Sequence, residues 1–448
     1  LLYLAAAALF ILGLKQLSSP RTARRGNMLA ALGMLLAVVV TMVDLEAVSW
    51  GTIIAGLFVG GGLGAVLARR VQMTSMPELV AAFNGFGGAA SALVALADLA
   101  ITDAAPATET AITVLLAIVI GTVTFSGSFV AFGKLKGILP GRPIVYPFTH
   151  WLNGVLAAAA LGIGIWGIAA SNDALFWVAA GIALVLGVLA VIPIGGADMP
   201  VVISLLNSLS GVAASTAGFV IDNSALIIGG ALVGAAGLIL TLQMAEAMNR
   251  TIANVLFSGF GGTTATADVG DKPVNRATPD DVAIALGYAD SAMIVPGYGL
   301  AVAQAQHVTR KLADELERRG VKVTYAIHPV AGRMPGHMNV LLAEADVPYD
   351  QLADLDQSNP MLPQTDVVLV IGANDVVNPS ARDDAGSAIY GMPILEVDLA
   401  KTVIVVKRSL SPGFAGIDNP LFYNDNTMML FADGKKAIES VLGALDDL

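Results

Sequence analysis

The sequence contains no cysteine among its 448 residues. Disulfide bridges, thiolate metal sites, iron–sulfur clusters and thiol catalysis are therefore excluded, and cysteine usage gives no information on the redox compartment. Histidine is scarce as well, with 4 residues in the chain. Because these two side chains are the usual ligands of transition metals, we expect no metal site.

Charged residues make up only 13% of the chain, whereas hydrophobic residues make up 56%. This balance, with a mean hydropathy of +0.74, is typical of integral membrane proteins. The formal net charge is -11, and the acidic excess lies after residue 250. An acidic soluble region disfavours nucleic acid as a partner, because binding phosphate backbones needs a basic surface.

Long apolar runs occupy the chain up to about residue 248. A helix that crosses a lipid bilayer needs roughly 20 apolar residues. We therefore predict a polytopic α-helical membrane bundle of about nine transmembrane helices, with its domain at residues 1–248. The nine predicted spans are residues 1–17, 26–43, 47–68, 77–99, 111–132, 149–170, 174–193, 200–221 and 224–245.

Charges in the connections between these spans alternate in sign along the chain. The first, third and fifth connections are basic, and the second, fourth and sixth are acidic. Since basic loops stay on the cytoplasmic side, the N-terminus is predicted outside and the soluble domain, after nine crossings, in the cytoplasm. The basic residues are Arg21, Arg24, Arg25, Arg69, Arg70, Lys134, Lys136 and Arg142, and the acidic ones are Asp44, Glu46, Asp98, Asp103, Glu109 and Asp173.

A few polar side chains interrupt the predicted spans. Asn84 lies in the fourth span, and Asn207 and Ser210 share one face of the eighth. Unpaired polar groups are costly in hydrocarbon, so these residues form interhelical hydrogen bonds or line a wetted track that carries protons. Asp198 lies in the short turn before the eighth span, where it is either a solvated loop acid or a gate facing the soluble domain.

The sequence changes character after residue 248. A Gly- and Thr-rich stretch predicts a linker at 249–275, and a soluble domain follows at 276–448. Its β-branched runs alternate with helical ones, which predicts a Rossmann-like α/β domain with a doubly wound parallel sheet. The predicted strands are 292–295, 321–327, 366–371, 394–397, 402–406 and 428–431, and the predicted helices are 300–319, a short one after Gly336 and a closing one from about Lys435.

The first predicted strand ends in Pro296-Gly297-Tyr298-Gly299 and leads directly into a helix. Glycines at 297 and 299 allow a tight turn and the close approach of a pyrophosphate to the helix start. The second strand lacks an acid that could hold a ribose 2'-hydroxyl, which disfavours NAD. Lys407 and Arg408, with Ser409, follow a later strand and can hold a 2'-phosphate, so the two features together predict NADP.

Three other loops of the soluble domain carry candidate ligand contacts. Arg333 is suited to clamp a phosphate. Asn374 and Asp375 follow a predicted strand at the switch edge of the sheet, where nicotinamide or ribose would bind. The long loop 411–425, which includes Gly413 and Tyr423, is suited to be a lid. Plain loop structure explains each of these features equally well.

Several segments together resemble the β subunit of proton-translocating NAD(P) transhydrogenase. Those similar to its NADP(H)-binding domain are 295–306, 328–339, 372–379 and 407–409, and those similar to its membrane helices are 76–80, 195–200 and 206–208. The likeness therefore extends over essentially the whole chain. The candidate cofactor-binding residues are Gly297, Tyr298, Gly299, Ala301, Val302, Ala331, Gly332, Arg333, Met334, Gly372, Ala373, Asn374, Asp375, Lys407, Arg408, Ser409, Gly413 and Tyr423, and the candidate proton-path or coupling residues are Asn84, Asp198, Asn207 and Ser210.

This resemblance implies a function that couples two events. NADP(H) would be bound here under a lid, NAD(H) would be bound by a partner α subunit, and hydride would pass directly between the two nucleotides while protons cross the membrane. No side chain need then act as an acid or a base in the hydride step. The resemblance also implies a dimer of αβ units in the lipid bilayer of a bacterial inner (plasma) membrane.

One position departs from the family pattern. Asn84 stands where some members carry a histidine, and an amide does not titrate in water. We therefore expect the titrating group on a partner membrane subunit, with Asn84 and Asn207 lining the path.

Two other functions are compatible with this architecture. An ion transporter or channel regulated by a nucleotide-sensing Rossmann-like domain explains the nine spans, but it explains poorly the lack of charge in mid-membrane. A membrane dehydrogenase that feeds quinone lacks a flavin or metal site in this sequence, since it has no cysteine and few histidines.

Overall fold

The computed structural model describes residues 2–17, 19–44, 50–71, 75–101, 108–141, 143–248, 251–257, 273–333, 336–387, 389–413 and 415–448. Met334, most of the predicted linker (249–250 and 258–272) and the loop residues Glu46, Asp103 and Arg142 lie outside these ranges. The chain forms two compact units. One is Leu1–Leu242 with Val255–Gly259, and the other is Gln243–Asn254 with Phe260–Leu448.

The first unit is helical. Within the described residues, eight helical spans are long and apolar enough to cross a membrane, and the first predicted span is a shorter apolar helix of 16 residues. The helices are α1 (Leu2–Leu17), α2 (Pro20–Asp44), α3 (Trp50–Gly56) and α4 (Gly62–Arg70), which the π-helical turn Leu57–Gly61 joins into one span, α5 (Met76–Ile101), α6 (Thr108–Leu135), α7 (Thr149–Ala170), α8 (Ala174–Val191), α9 (Met199–Val220) and α10 (Ser224–Ala247). The short helix α11 is Ile252–Phe257.

Helix α6 is the centre of this unit. In its most apolar window 72% of the residues are buried, whereas none are in the span Trp50–Arg70. Helices α5, α8 and α9 pack around it. Helices α5 and α6 cross at Gly88 and Gly121, where a Cβ on either glycine would approach the carbonyl oxygen of the other to 2.7 or 2.6 Å. Small residues at such crossings let helix backbones touch in lipid.

The second unit is built on a sheet of seven strands that all run parallel. The strands are β1 (Asn275–Arg276), β2 (Ser291–Pro296), β3 (Lys322–Ala326), β4 (Leu352–Ala353), β5 (Val367–Ile371), β6 (Thr402–Lys407) and β7 (Thr427–Phe431), and their order in the sheet is β1-β7-β6-β5-β2-β3-β4. The chain winds outward from β2 in one direction and from β5 in the other. The predicted doubly wound parallel sheet is thus confirmed.

Seven helices surround this sheet. They are α12 (Pro279–Gly287), α13 (Tyr298–Val302), α14 (Gln306–Arg318), α15 (His337–Glu344), α16 (Leu355–Ser358), α17 (Ser380–Asp383) and α18 (Gly434–Asp446). The helix predicted near 300–319 is in fact two, α13 and α14. Helix α13 ends because Gln304 adopts a left-handed conformation, and Ala305 N–H then bonds back to the Leu300 carbonyl at 3.1 Å.

One predicted strand is wrong. Residues 394–397 form no ladder, and Leu395 N–H bonds instead to the carbonyl of Val376, in the 3-10 turn Asp375–Val377, at 2.9 Å. Ile394 and Leu395 are buried in the core, which explains why the segment is as apolar as a strand. The two-residue strands β1 and β4 were not predicted, because runs so short carry no alternation that a sequence pattern could reveal.

Candidate functional site

Strands β2 and β5 are neighbours at the point where the winding direction of the sheet reverses. The loop after β2 begins at Gly297, and the loop after β5 begins at Gly372. Gly297 N–H bonds to the Ile371 carbonyl and Gly299 N–H to the Gly372 carbonyl, both at 2.9 Å. Open α/β sheets bind ligands at this edge of such a switch point.

The two loops touch through their backbones. Gly372 has a φ of +65°, and a Cβ on it would overlap Gly299; a Cβ on Gly297 would overlap the backbone of Ala373. Three of the candidate glycines therefore have a structural reason to be glycine, namely the close approach of these loops. Ala301 and Ala373 are buried in the same place, whereas Val302 is half exposed.

Arg333 lies beside this switch point. Its guanidinium carbon is 4.2 Å from the centre of the Tyr298 ring, at the start of α13. Its backbone N–H donates to His337 Nδ1 at 3.0 Å. Ala331, Gly332 and Arg333 thus form a loop whose cation rests on an aromatic face, which is a favourable arrangement for a guanidinium.

Two histidines flank this loop, and both are buried. His328 Nε2 donates to the Pro393 carbonyl at 2.7 Å, and its Nδ1 accepts from Val330 N–H at 3.2 Å. Burial lowers the pKa of His328 to about 4. It also lowers the pKa of His337, with the Arg333 charge as a second cause. Both imidazoles are therefore neutral at physiological pH. The sequence pattern indicates neither of them as a site residue.

Lys407 is the last residue of β6, two strands from β2, and Arg408 and Ser409 follow it. Lys407 Nζ donates to the Ser411 carbonyl and lies 4.7 Å from the Phe422 ring centre. Burial lowers the pKa of Lys407 to about 8, although Asp375 and Asp418 oppose that shift. Arg408 and Ser409 are exposed. The basic pair thus offers one partly desolvated cation and one in water.

The loop 411–425 is attached to the loop after β5. Asp375 accepts a hydrogen bond from Ala415 N–H at 2.9 Å, and Gly413 lies against the same carboxylate. Asn419, which is buried, donates to the Asn374 carbonyl at 3.1 Å. Asn374 and Asp375 therefore hold the proposed lid, a role that adds to the ligand contacts predicted for them.

Tyr423 belongs to the same loop and is held within it. Its hydroxyl donates to Asp418 at 3.0 Å, and desolvation together with that carboxylate raises the pKa of Tyr423 to about 12. The ring is thus fixed by its own loop, and the phenol hydroxyl stays protonated at all physiological pH values. Asn419 had no sequence signal beyond its place in a Gly- and Asn-rich loop.

In the membrane unit, two of the predicted proton-path residues lie together. Asn84 Nδ2 on α5 donates to Ser128 Oγ on α6 at 2.9 Å, and Ser210 Oγ on α9 donates to the Asn84 carbonyl at 3.3 Å. We call Asn84, Ser128 and Ser210 the three-helix polar seam. Asn207 is half-buried, and its side chain makes no hydrogen bond within the described residues. The structure thus joins Asn84 to Ser210 but not to Asn207.

Asp198 precedes α9 and lies in a turn that a buried lysine holds. Lys134, in the last turn of α6, is only 5% exposed, and its Nζ donates to the carbonyls of Ile192 and Ile194, both at 2.6 Å. These carbonyls follow the last residue of α8, where a helix leaves carbonyls unsatisfied. Gly196 N–H bonds to the Gly141 carbonyl at 2.7 Å. The sequence pattern predicts a loop at Lys134 and indicates no such role for it.

A family model and individual relatives of known name both match this chain, and they indicate the same family. The family model described as "NAD(P) transhydrogenase beta subunit" matches residues 1–444. Two relatives from Rhodospirillum rubrum, one of them from a designated strain, are both named NAD(P) transhydrogenase subunit beta. Each is 47% identical over 455 residues, covering 99% of this chain and 98% of the relative. On this evidence, the chain belongs to the family of NAD(P) transhydrogenase beta subunits.

Proposed function

We propose that the chain is the β subunit of a proton-translocating NAD(P)+ transhydrogenase. In this proposal it binds NADP(H) in its sheet domain, a partner α subunit binds NAD(H), and hydride transfer between the nucleotides is coupled to proton movement through the helical unit. The observation that carries the proposal is the β2–β5 switch point with Arg333 beside it, in a chain whose whole length matches the family.

The charges around the switch point fit NADP(H) better than NAD(H). Arg333 is suited to the pyrophosphate, and Lys407 with Arg408 to the 2'-phosphate that only NADP(H) carries. Burial disfavours the charged form of Lys407, and a phosphate beside it would restore that form. The charged form of Lys407 is thus stabilised most by a ligand with an extra anionic group. Such a contact would select NADP(H) over NAD(H).

The protein's own part in the reaction is orientation and the exclusion of water. When bound, the nicotinamide rings supply the hydride chemistry themselves. Asn374, Asp375 and Asn419 fix the loop 411–425 against the end of β5. A loop held there can cover the nucleotide and limit the positions its reactive ring adopts, which is the contribution that a direct transfer requires.

In the helical unit, we propose that the three-helix polar seam lines the proton path. Its groups are neutral amides and hydroxyls, which form hydrogen bonds with water but do not themselves bind an extra proton. The titrating group would therefore belong to the partner's membrane helices. The odd-numbered connections and the sheet domain would face the cytoplasm of a bacterium, and two αβ units would form the complete enzyme.

The first experiment places the full chain and its partner α subunit together in liposomes. NADPH is added with an NAD analogue, and reduction of the analogue is followed together with the pH inside the vesicles. We expect transfer that depends on both subunits and is accompanied by proton movement. Tight NADPH binding without any transfer would contradict the proposal.

Coupling is tested separately at Asp198. Neutralising it in Asp198→Asn should leave NADPH binding intact and uncouple hydride transfer from proton movement, if the turn before α9 reports on the proton path. Normal coupling in this variant would count against Asp198 as a coupling residue. Asp173→Asn is a matched control, since Asp173 also lies in a turn before a helix but is exposed and lies before α8.

A further inference from the structure

His337 is the first residue of α15 and is 1% exposed. It packs directly against Gly332, which has a φ of +109°. A Cβ on Gly332 would come within 2.6 Å of both Cβ and Nδ1 of the histidine. The imidazole therefore fixes the position of the backbone immediately before Arg333.

The same imidazole also bonds to the next residue of the loop. Arg333 N–H donates to His337 Nδ1 at 3.0 Å, so this nitrogen must carry its lone pair and the proton must be on Nε2. The guanidinium of Arg333 lies over Tyr298, and the Tyr298 and His337 ring centres are 6.3 Å apart. The His337 side chain thus fixes the backbone of Arg333. It also lies beside the Tyr298 ring, over which the Arg333 guanidinium is placed.

We propose that His337 is a positioning residue that aims Arg333 at the pyrophosphate of NADP(H), acting through the hydrogen-bond acceptor at Nδ1. This inference rests on the proposed function, because it needs NADP(H) as the ligand of the sheet domain. The histidine itself contacts no ligand in this account. What matters is an acceptor at one defined point, and three substitutions separate that requirement from simple filling of space.

His337→Asn places its amide oxygen where Nδ1 stands and keeps the acceptor. His337→Gln has a volume closer to histidine but places its amide at the Nε2 end, and His337→Ala removes both. The dissociation constant for NADPH is measured on the full chain, and KM for NADPH and for NADH on the complex with the α subunit. Loss of one hydrogen bond that orients a charged group corresponds to a change of about tenfold.

We expect NADPH binding by His337→Asn to stay near that of the unmodified chain, and His337→Gln and His337→Ala to weaken it about tenfold with KM for NADH unchanged. If the ring merely fills space, the order reverses: Gln binds better than Asn. That order would overturn the inference. A chain with native His337 that fails to bind NADPH would instead refute the proposed function.

A double-variant measurement keeps the test decisive if His337→Asn does not fold. In an Arg333→Ala background, His337→Gln should weaken NADPH binding no further, because the histidine acts through the arginine. Two independent losses that add in full would overturn the inference.

Discussion

The three-helix polar seam and the β2–β5 switch point are both places where two backbones touch, but the seam has neutral polar side chains and the switch point has basic ones. In both, glycines bring two backbones into contact, at Gly88 and Gly121 in the membrane unit and at Gly297 and Gly372 in the sheet domain. Polar side chains lie beside both contacts. In the seam they are neutral and bond to neighbouring helices, whereas the switch point has basic residues around it.

This difference follows from the two solvents. A charge inside a bilayer costs several kcal/mol unless it is paired, so the seam uses amides and hydroxyls. A crevice at the edge of a sheet keeps its cations partly hydrated, so it can afford the groups that bind phosphate. In the proposed function, recognition of an anion and conduction of a proton fall to different units of the chain, and a physical change must link them.

The largest effect is expected from a substitution that breaks the backbone contact at the switch point. In Gly372→Ala, the methyl group would overlap Gly299, and a φ of +65° is strained for any residue with a Cβ. Strain of this kind costs about 1–3 kcal/mol, and the overlap adds to it. Chemical unfolding of the sheet domain in the full chain should show the loss, together with weaker NADPH binding.

A second glycine supplies the control. Gly443 lies within α18, and a Cβ there would meet nothing within 4 Å. Gly443→Ala should be neutral or stabilise the domain by roughly 0.5–1 kcal/mol, because alanine favours a helix more than glycine does. Equal losses in the two variants would show that the contact between the loops is not what requires Gly372.

Next in size is the buried lysine of the membrane unit. Lys134→Met removes the donor in the buried contact with the Ile194 carbonyl, at a cost of about 1–3 kcal/mol; the Ile192 carbonyl loses one of two donors, since it also accepts from Ile144 N–H at 3.3 Å. The exposed Lys136, two residues on, is the control, and Lys136→Met should change stability by less than about 0.5 kcal/mol. Thermal unfolding of the full chain in detergent measures both. Equal midpoints for the two variants would contradict a structural role for Lys134.

Length and hydropathy were enough to predict the membrane helices. The predicted 149–170 is α7 to the residue, and 174–193 differs from α8 only at its end. Such runs are unambiguous, since few other structures place 20 apolar residues in sequence. The segment 394–397 shows the opposite case, because a short run with three apolar residues packs equally well as a strand or as a buried loop.

The candidate site was predictable only in part. Gly297 and Arg333 lie in loops that follow strands, and Lys407 is the last residue of β6; strand prediction alone supplies these positions at the carboxyl ends of strands. The roles of Lys134 and His337 were not predictable. Lys134 bonds to residues 58 and 60 positions away, and His337 depends on the local path of the Gly332 backbone. Neither relation leaves a pattern in the sequence.

A smaller effect sharpens the role of charge at the sheet domain. Because burial lowers the pKa of Lys407 to about 8, the free protein loses this cation as the pH rises through that value. If the ammonium holds the 2'-phosphate, NADPH affinity falls above about pH 8, by at most about tenfold per pH unit. Fluorescence titration of the full chain at several pH values measures this slope.

Lys407→Arg is the matched variant for that measurement. A guanidinium stays charged throughout this range, so the variant should bind NADPH with a flatter profile. Identical profiles in the variant and the unmodified chain would assign the pH dependence to another group.

The smallest expected effect on stability concerns the three-helix polar seam. Asn84→Leu and Ser128→Ala, alone and combined, form a double-variant cycle across the hydrogen bond between α5 and α6. Side-chain hydrogen bonds between membrane helices contribute about 0.6 kcal/mol on average, so the coupling energy in detergent should be small.

Proton translocation in liposomes should nevertheless fall steeply in Asn84→Leu, because a relay fails when one link is removed. Unchanged translocation in Asn84→Leu would remove the seam from the proton path, and unchanged translocation in Asn207→Leu would remove Asn207 from it. A large coupling energy with normal translocation would make the seam a helix contact alone.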